Sequence, residues 1–168
     1  IIGDGTEIVL FNGSQIAPFP GLQVATVDTL DTPETIADRT FGIPSLTDLM
    51  EDVLVLDLVE LENGQLRLII AWLGVINDDG TISFITGITD YDRETQTGVI
   101  VTEAAADTPL TRLNRAQLSP DGALVAGFIP IEGDENGAEN FAIYDIANAT
   151  LLDLPELPTA IDAFSFGG

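Results

Sequence analysis

Short apolar stretches alternate along the chain with clusters of Gly, Asn, Asp and Pro. Runs rich in Val, Ile, Leu, Phe and Thr, bounded by such clusters, read as β-strands. The pattern predicts strands over 7–12, 22–28, 53–61, 65–75, 81–89, 98–102, 123–131, 140–146, 150–153 and 161–166, with a short one at 116–118. The longest apolar run, Leu68 to Ile76, has about half the length needed to cross a bilayer and reads as a buried strand, with Trp72 in the core. Only 33–52 carries a helical signal. There Thr32 precedes Pro33 as an N-cap, and Ser45 precedes a second short turn over 45–50. Ten or so strands at turn-punctuated spacing predict an all-β fold, a propeller-like array of antiparallel hairpins, with a β-sandwich as the alternative.

The turns repeat. An apolar residue, a polar turn ending in Gly and an apolar strand recur at Ile2-Gly-Asp-Gly, Leu61-Glu-Asn-Gly, Ile76-Asn-Asp-Asp-Gly and Leu118-Ser-Pro-Asp-Gly. In the last, Pro120 sits where a type I turn favours proline, and Gly122 sits at a left-handed position. A second unit, an apolar strand closing on an aromatic residue and Asp or Asn before a small polar turn, recurs at Phe11-Asn12, Tyr91-Asp92 and Tyr144-Asp145. Tyr91 and Tyr144 lie 53 residues apart, and Leu118 and Phe164 lie 46 apart. Such a period suits propeller blades, which run about 40–50 residues. The ordered pair of the Leu118-Ser-Pro-Asp-Gly turn and the Tyr144-Asp145 turn, followed by the aromatic stretch at 163–166, resembles the blade repeat of WD-repeat and TolB-type β-propellers. The resemblance is carried by residues 84–168 and is poor over 1–83; it implies blades in which the Ser-Pro-Asp-Gly turn links the first two strands and the Tyr-Asp turn precedes the outermost one. The chain reads as one all-β domain over 1–168, a fragment or processed form of a longer chain, since it lacks an initiator methionine.

Composition narrows the chemistry. The chain has 28 acidic residues, five arginines and no lysine, histidine or cysteine, for a net charge of −23. Charged residues make up 20%, below the roughly 25% of an average domain, so the acidity reflects missing bases. With 45% apolar residues the chain has enough hydrophobicity to fold. Zinc, haem and iron–sulfur sites lose their usual ligands, and cysteine nucleophiles, Ser-His-Asp triads and Schiff-base lysines are excluded. Five arginines in such a field argue against nucleic acid. Membrane insertion is not expected, a small-molecule ligand is disfavoured, and no cofactor is expected beyond calcium.

Calcium takes oxygen ligands, and its candidate positions are Asp78, Asp79, Asp90, Asp92, Glu94, Asp134, Glu135 and Glu139. None has EF-hand spacing, and polar hairpin tips explain the same residues. Asp90 and Asp92 share a strand face, as a coupled carboxylate pair requires, although Asp92 also suits a cap on the turn that follows it. Asp57 interrupts the apolar run 53–59; it reads as an inward charge on an edge strand or a partner of Arg67, with a raised-pKa acid as the alternative. Ile1, Ile2, Phe164 and Phe166 are the interaction candidates, apolar terminal residues able to add strands to a sheet edge. No catalytic residue is assigned. The sequence therefore points to a non-enzymatic structural or interaction domain, secreted or at the cell surface, that binds protein or self-assembles. A calcium-dependent adhesion module and a carboxylate-based carbohydrate-active enzyme are the alternatives.

Overall fold

The computed structural model describes residues 2, 5–10, 21–38, 40–43, 53–76, 82–104, 108–134, 137–155 and 163–166. Three antiparallel sheets account for eleven strands. The first sheet is β1 (Ile8–Leu10), β2 (Leu22–Ala25) and β3 (Glu34–Ala37). The second is β4 (Leu54–Glu60), β5 (Leu66–Ile76), β6 (Ile82–Asp92) and β7 (Thr97–Ala104). The third is β8 (Asn114–Leu118), β9 (Leu124–Pro130), β10 (Glu139–Asp145) and β11 (Thr150–Leu151). Each is a meander in which successive strands pair, and the three pack face to face as a propeller-like array.

Strand periodicity explains the stacking. Side chains alternate between the two faces of a strand. On β5, Leu66, Leu68, Ile70 and Trp72 enter one core with Leu22, Val24, Ile36 and Phe41 from the first-sheet side. Ile69, on the opposite face, joins Ile88 in a second core with Leu118, Val125, Ala142 and Tyr144 of the third sheet. β5 is thus buried on both faces over Leu68 to Trp72, which is why that stretch is continuously apolar. Glycine permits the closest approach: a Cβ at Gly87 would lie 2.7 Å from the Trp72 ring.

The repeated turns are built alike. Gly64 and Gly122 take left-handed φ of 81° and 68°, and their N–H groups donate to Leu61 O and Ser119 O. Asp92 Oδ1 accepts from the N–H groups of Glu94 and Thr95 at 2.8 and 3.0 Å. Asp145 Oδ1 accepts from Asn148 N–H at 3.0 Å in the equivalent turn. Gln96 and Ala149, each five positions after its tyrosine, both have positive φ.

Two expectations are corrected. Residues 34–37 form β3 rather than a helical turn: Ile36 is buried against the second sheet and the segment pairs with β2, which outweighs the local signal of Pro33. The only helical turn among the described residues is a 3-10 turn at Val27–Thr29, where Thr26 N–H donates to Thr29 Oγ1. Residues 163–166 belong to no strand, although their rings pack on the third sheet. The expected turn at 45–50 lies outside the described residues.

Candidate functional site: the seam between the second and third sheets

Three of the charged residues singled out from the sequence, Asp57, Arg67 and Asp90, lie at or beside the seam where β4 and β5 meet β8. At Val55–Asp57 a bulge shifts the β4–β5 register and leaves Leu56 exposed. Beyond the bulge, Asp57 Oδ2 accepts the Leu118 N–H of β8 at 2.7 Å. Burial pushes the Asp57 carboxyl above its ordinary pKa, opposed by the hydrogen bonds from Leu118 and Leu58. Asp57 is therefore an inter-sheet acceptor on an edge strand.

Arg67 takes a different partner from the expected Asp57. It stands directly opposite Asp90 in the β5–β6 ladder. Its Nε and Nη2 donate to the two carboxylate oxygens of Asp90 at 2.6 and 2.7 Å, with both side chains mostly buried. Nη1 reaches across the seam to Gly122 O at 2.8 Å. A planar guanidinium with donors in a fixed fork suits this simultaneous grip. Cross-strand register favoured Asp90, a signal that composition alone does not contain. The Gly122 turn is further fixed by Ser119 Oγ, which accepts Leu124 N–H at 2.9 Å, and by Asp121 Oδ1, which accepts Ala123 N–H at 3.0 Å.

A cavity of about 670 Å³ opens beside this grip, lined by Glu60, Leu61, Glu62, Arg67, Pro120 and Asp121. A second, of about 250 Å³, lies between the first and second sheets beside Thr35, Asp38, Tyr91 and Gln96. There Tyr91 Oη donates to Ile36 O at 2.7 Å, and burial raises the tyrosine pKa.

The remaining candidates are dispersed. Asp92 caps its turn, whose amides hold its carboxyl below the ordinary range. Glu94 is exposed in that turn, and Asp134 lies in the loop after β9. Glu139 accepts from Asn114 Nδ2 at 2.6 Å and pairs with Arg115; these contacts lower its pKa, the Asn114 bond most. Asp78, Asp79, Glu135 and Ile1 lie outside the described residues. Among the described residues no group of three acidic side chains converges as a metal site would require. Ile2 is buried in the first core and exchanges backbone hydrogen bonds with Glu7, rather than standing at an open edge. Phe164 packs on Phe128 and Phe141 with centroids 5.4 and 5.1 Å away, and on Phe166 at 6.4 Å.

Fold and seam together define an all-β, propeller-like sheet array held across its joints by charge-assisted hydrogen bonds. No family model matches the chain, and no curated protein matches it. Among solved structures the chain is similar to TolB from Acinetobacter baumannii, with a TM-score of 0.42 and 14% identity, covering 88% of this chain and 30% of that one. The chain thus spans less than a third of that protein. Among the described residues no helix is long and apolar enough to cross a membrane.

Proposed function

We propose that the chain is a non-enzymatic scaffold that acts outside the cytoplasm by binding protein, whether a partner or a further copy, through its sheet edges and terminal segments. The observation that carries this reading is the engagement of the seam carboxylates. Glycoside hydrolysis needs a protonated acid and an ionised carboxylate facing each other across the substrate. Here both oxygens of Asp90 are held by Arg67, and Asp57 points at a backbone amide of the neighbouring sheet. The seam spends its charge on joining sheets. The extracellular placement is supported by a composition without cysteine or lysine.

Incubation of the protein with a panel of aryl glycosides and acidic and neutral polysaccharides tests the reading. The expected result is no turnover above a buffer blank. Hydrolysis that disappears in Asp57→Asn or Asp90→Asn would overturn it in favour of a carboxylate-based carbohydrate-active enzyme.

A further inference from the structure

We propose that the groove between the first and second sheets receives a basic segment of a protein partner, with one arginine or lysine side chain entering the cavity beside Asp38 and Tyr91. The proposal rests on the scaffold reading and names the chemistry of the partner.

The groove consists of two adjoining cavities. The cavity of about 250 Å³ beside Tyr91 shares Thr35, Ile36 and Gln96 with a second of about 410 Å³, which continues past Glu34, Arg93 and Glu94. β3 forms one wall, and the turn between β6 and β7 forms the other.

The two Tyr-Asp turns differ in what they carry. Asp92 and Asp145 cap their turns in the same way, and Gln96 and Ala149 close them with φ of 55° and 54°. Between these points the third sheet carries Ile146, buried in the second core, and an exposed Ala147. The second sheet has Arg93 and Glu94 in those positions and ends on the long carboxamide of Gln96. Turn geometry requires none of these three polar side chains, because Ile146, Ala147 and Ala149 support the same conformation. All three line the groove.

The remaining wall groups define what the groove can take. Tyr91 is 1% exposed; its hydroxyl donates to Ile36 O and accepts from no described residue. A residue lining the cavity thus keeps an open acceptor at its buried oxygen. Burial raises the Tyr91 pKa most, and the charges of Asp38 and Asp92 add to the rise. Among the described lining residues Glu34, Asp38 and Glu94 are acidic, and the one base, Arg93, is paired with Glu7 at 3.0 Å. A cation with several N–H donors complements this set. An arginine or lysine also brings an apolar stem that can lie along Ile36 and Ala37. Other ligand classes fit poorly. The acidic field repels phosphates and carboxylates. Tyr91 is too buried to offer a ring face to a sugar. The described carboxylates do not converge as a metal requires.

Calorimetric titration with a capped glycine–serine heptapeptide carrying two arginines tests the proposal, at an ionic strength of about 0.15 M that screens charges beyond about 8 Å. One site per chain is expected, and no binding when glutamate replaces both arginines. Glu94→Ala combined with Gln96→Ala copies Ala147 and Ala149, so the turn is kept, and Kd should rise by about fivefold or more. Asp38→Asn retains an oxygen for the Thr40 N–H and should raise Kd by about the same factor. Asp153→Asn removes the same charge from an exposed position outside the groove and should leave Kd within about twofold. Absence of saturable binding would overturn the proposal, as would binding that the groove variants leave intact. Equal weakening by Asp153→Asn and Asp38→Asn would also overturn it, since a diffuse acidic surface behaves that way. A negative result leaves the scaffold reading standing, because turnover decides that reading.

Discussion

The two faces of the second sheet are held by different means. Toward the first sheet the contact is a broad apolar core around Leu66, Leu68, Ile70, Trp72, Phe41 and Tyr91, with the last two rings edge to face at 6.2 Å. Toward the third sheet a smaller set around Ile69 and Ile88 is supplemented by Asp57 and Arg67, each bonded to backbone across the seam. Apolar burial is strong and non-directional, whereas hydrogen bonds to fixed backbone atoms set orientation and register. The first interface supplies cohesion and the second alignment. The same division explains why the most conspicuous charges in the sequence end up at a sheet joint.

Substitutions separate these roles. Trp72→Ala should cost the most, about 3–5 kcal/mol in denaturant unfolding, by emptying a ring-sized space against Gly87. A cost under 1 kcal/mol would mean that the core collapses around the gap. Arg67→Ala should cost about 2–3 kcal/mol, since it strips Asp90 and Gly122 O of charged donors in a mostly buried place. Asp57→Ala should cost about 1–3 kcal/mol by leaving the Leu118 N–H unpaired. Thr89 sharpens the contrast from the apolar side. Its Oγ1 is buried with no hydrogen-bond partner among the described residues, so Thr89→Val should be neutral or stabilise by up to about 1 kcal/mol.

The turn carboxylates give the smallest and most pH-specific effect. Asp92 and Asp145 have folded pKa values below the ordinary 3.8. Their contribution is complete above the unfolded value and is lost as pH falls through the lower folded one. Asp92→Ala and Asp145→Ala should therefore destabilise alike at neutral pH, with the difference from wild type fading in strong acid. Unequal effects would show that the two turns are not equivalent units.

Much of this architecture was legible in local chemistry. The Tyr-Asp and Ser-Pro-Asp-Gly turns specify their own geometry through Asp side chains and left-handed glycines, so the repeat they imply is realised in space. Trp72 read as core because its run has no polar face. What the sequence concealed is what depends on pairing between distant elements. Nothing local distinguishes Asp90 from Asp57 as the partner of Arg67; cross-strand register decides it. Residues 34–37 carry helix-start signals that yield to pairing with β2 and to burial of Ile36. The role of Asp57 depends on a bulge that turns it toward an amide 61 residues away.

The central claim is that Asp57 serves as a hydrogen-bond acceptor between sheets, a task an amide oxygen also performs. Comparing wild type with Asp57→Asn across pH tests it most directly. Burial raises the Asp57 pKa, so the charged form is the one the fold disfavours, and protonation relieves that cost as pH falls through the raised value. The Asn variant keeps an oxygen for the Leu118 N–H and carries no charge. It should therefore equal or exceed wild-type stability at neutral pH, with the gap closing as pH falls. A loss of about 2 kcal/mol or more at neutral pH, the cost of breaking a charged hydrogen bond, would show that the seam requires the carboxylate charge itself and would contradict the account.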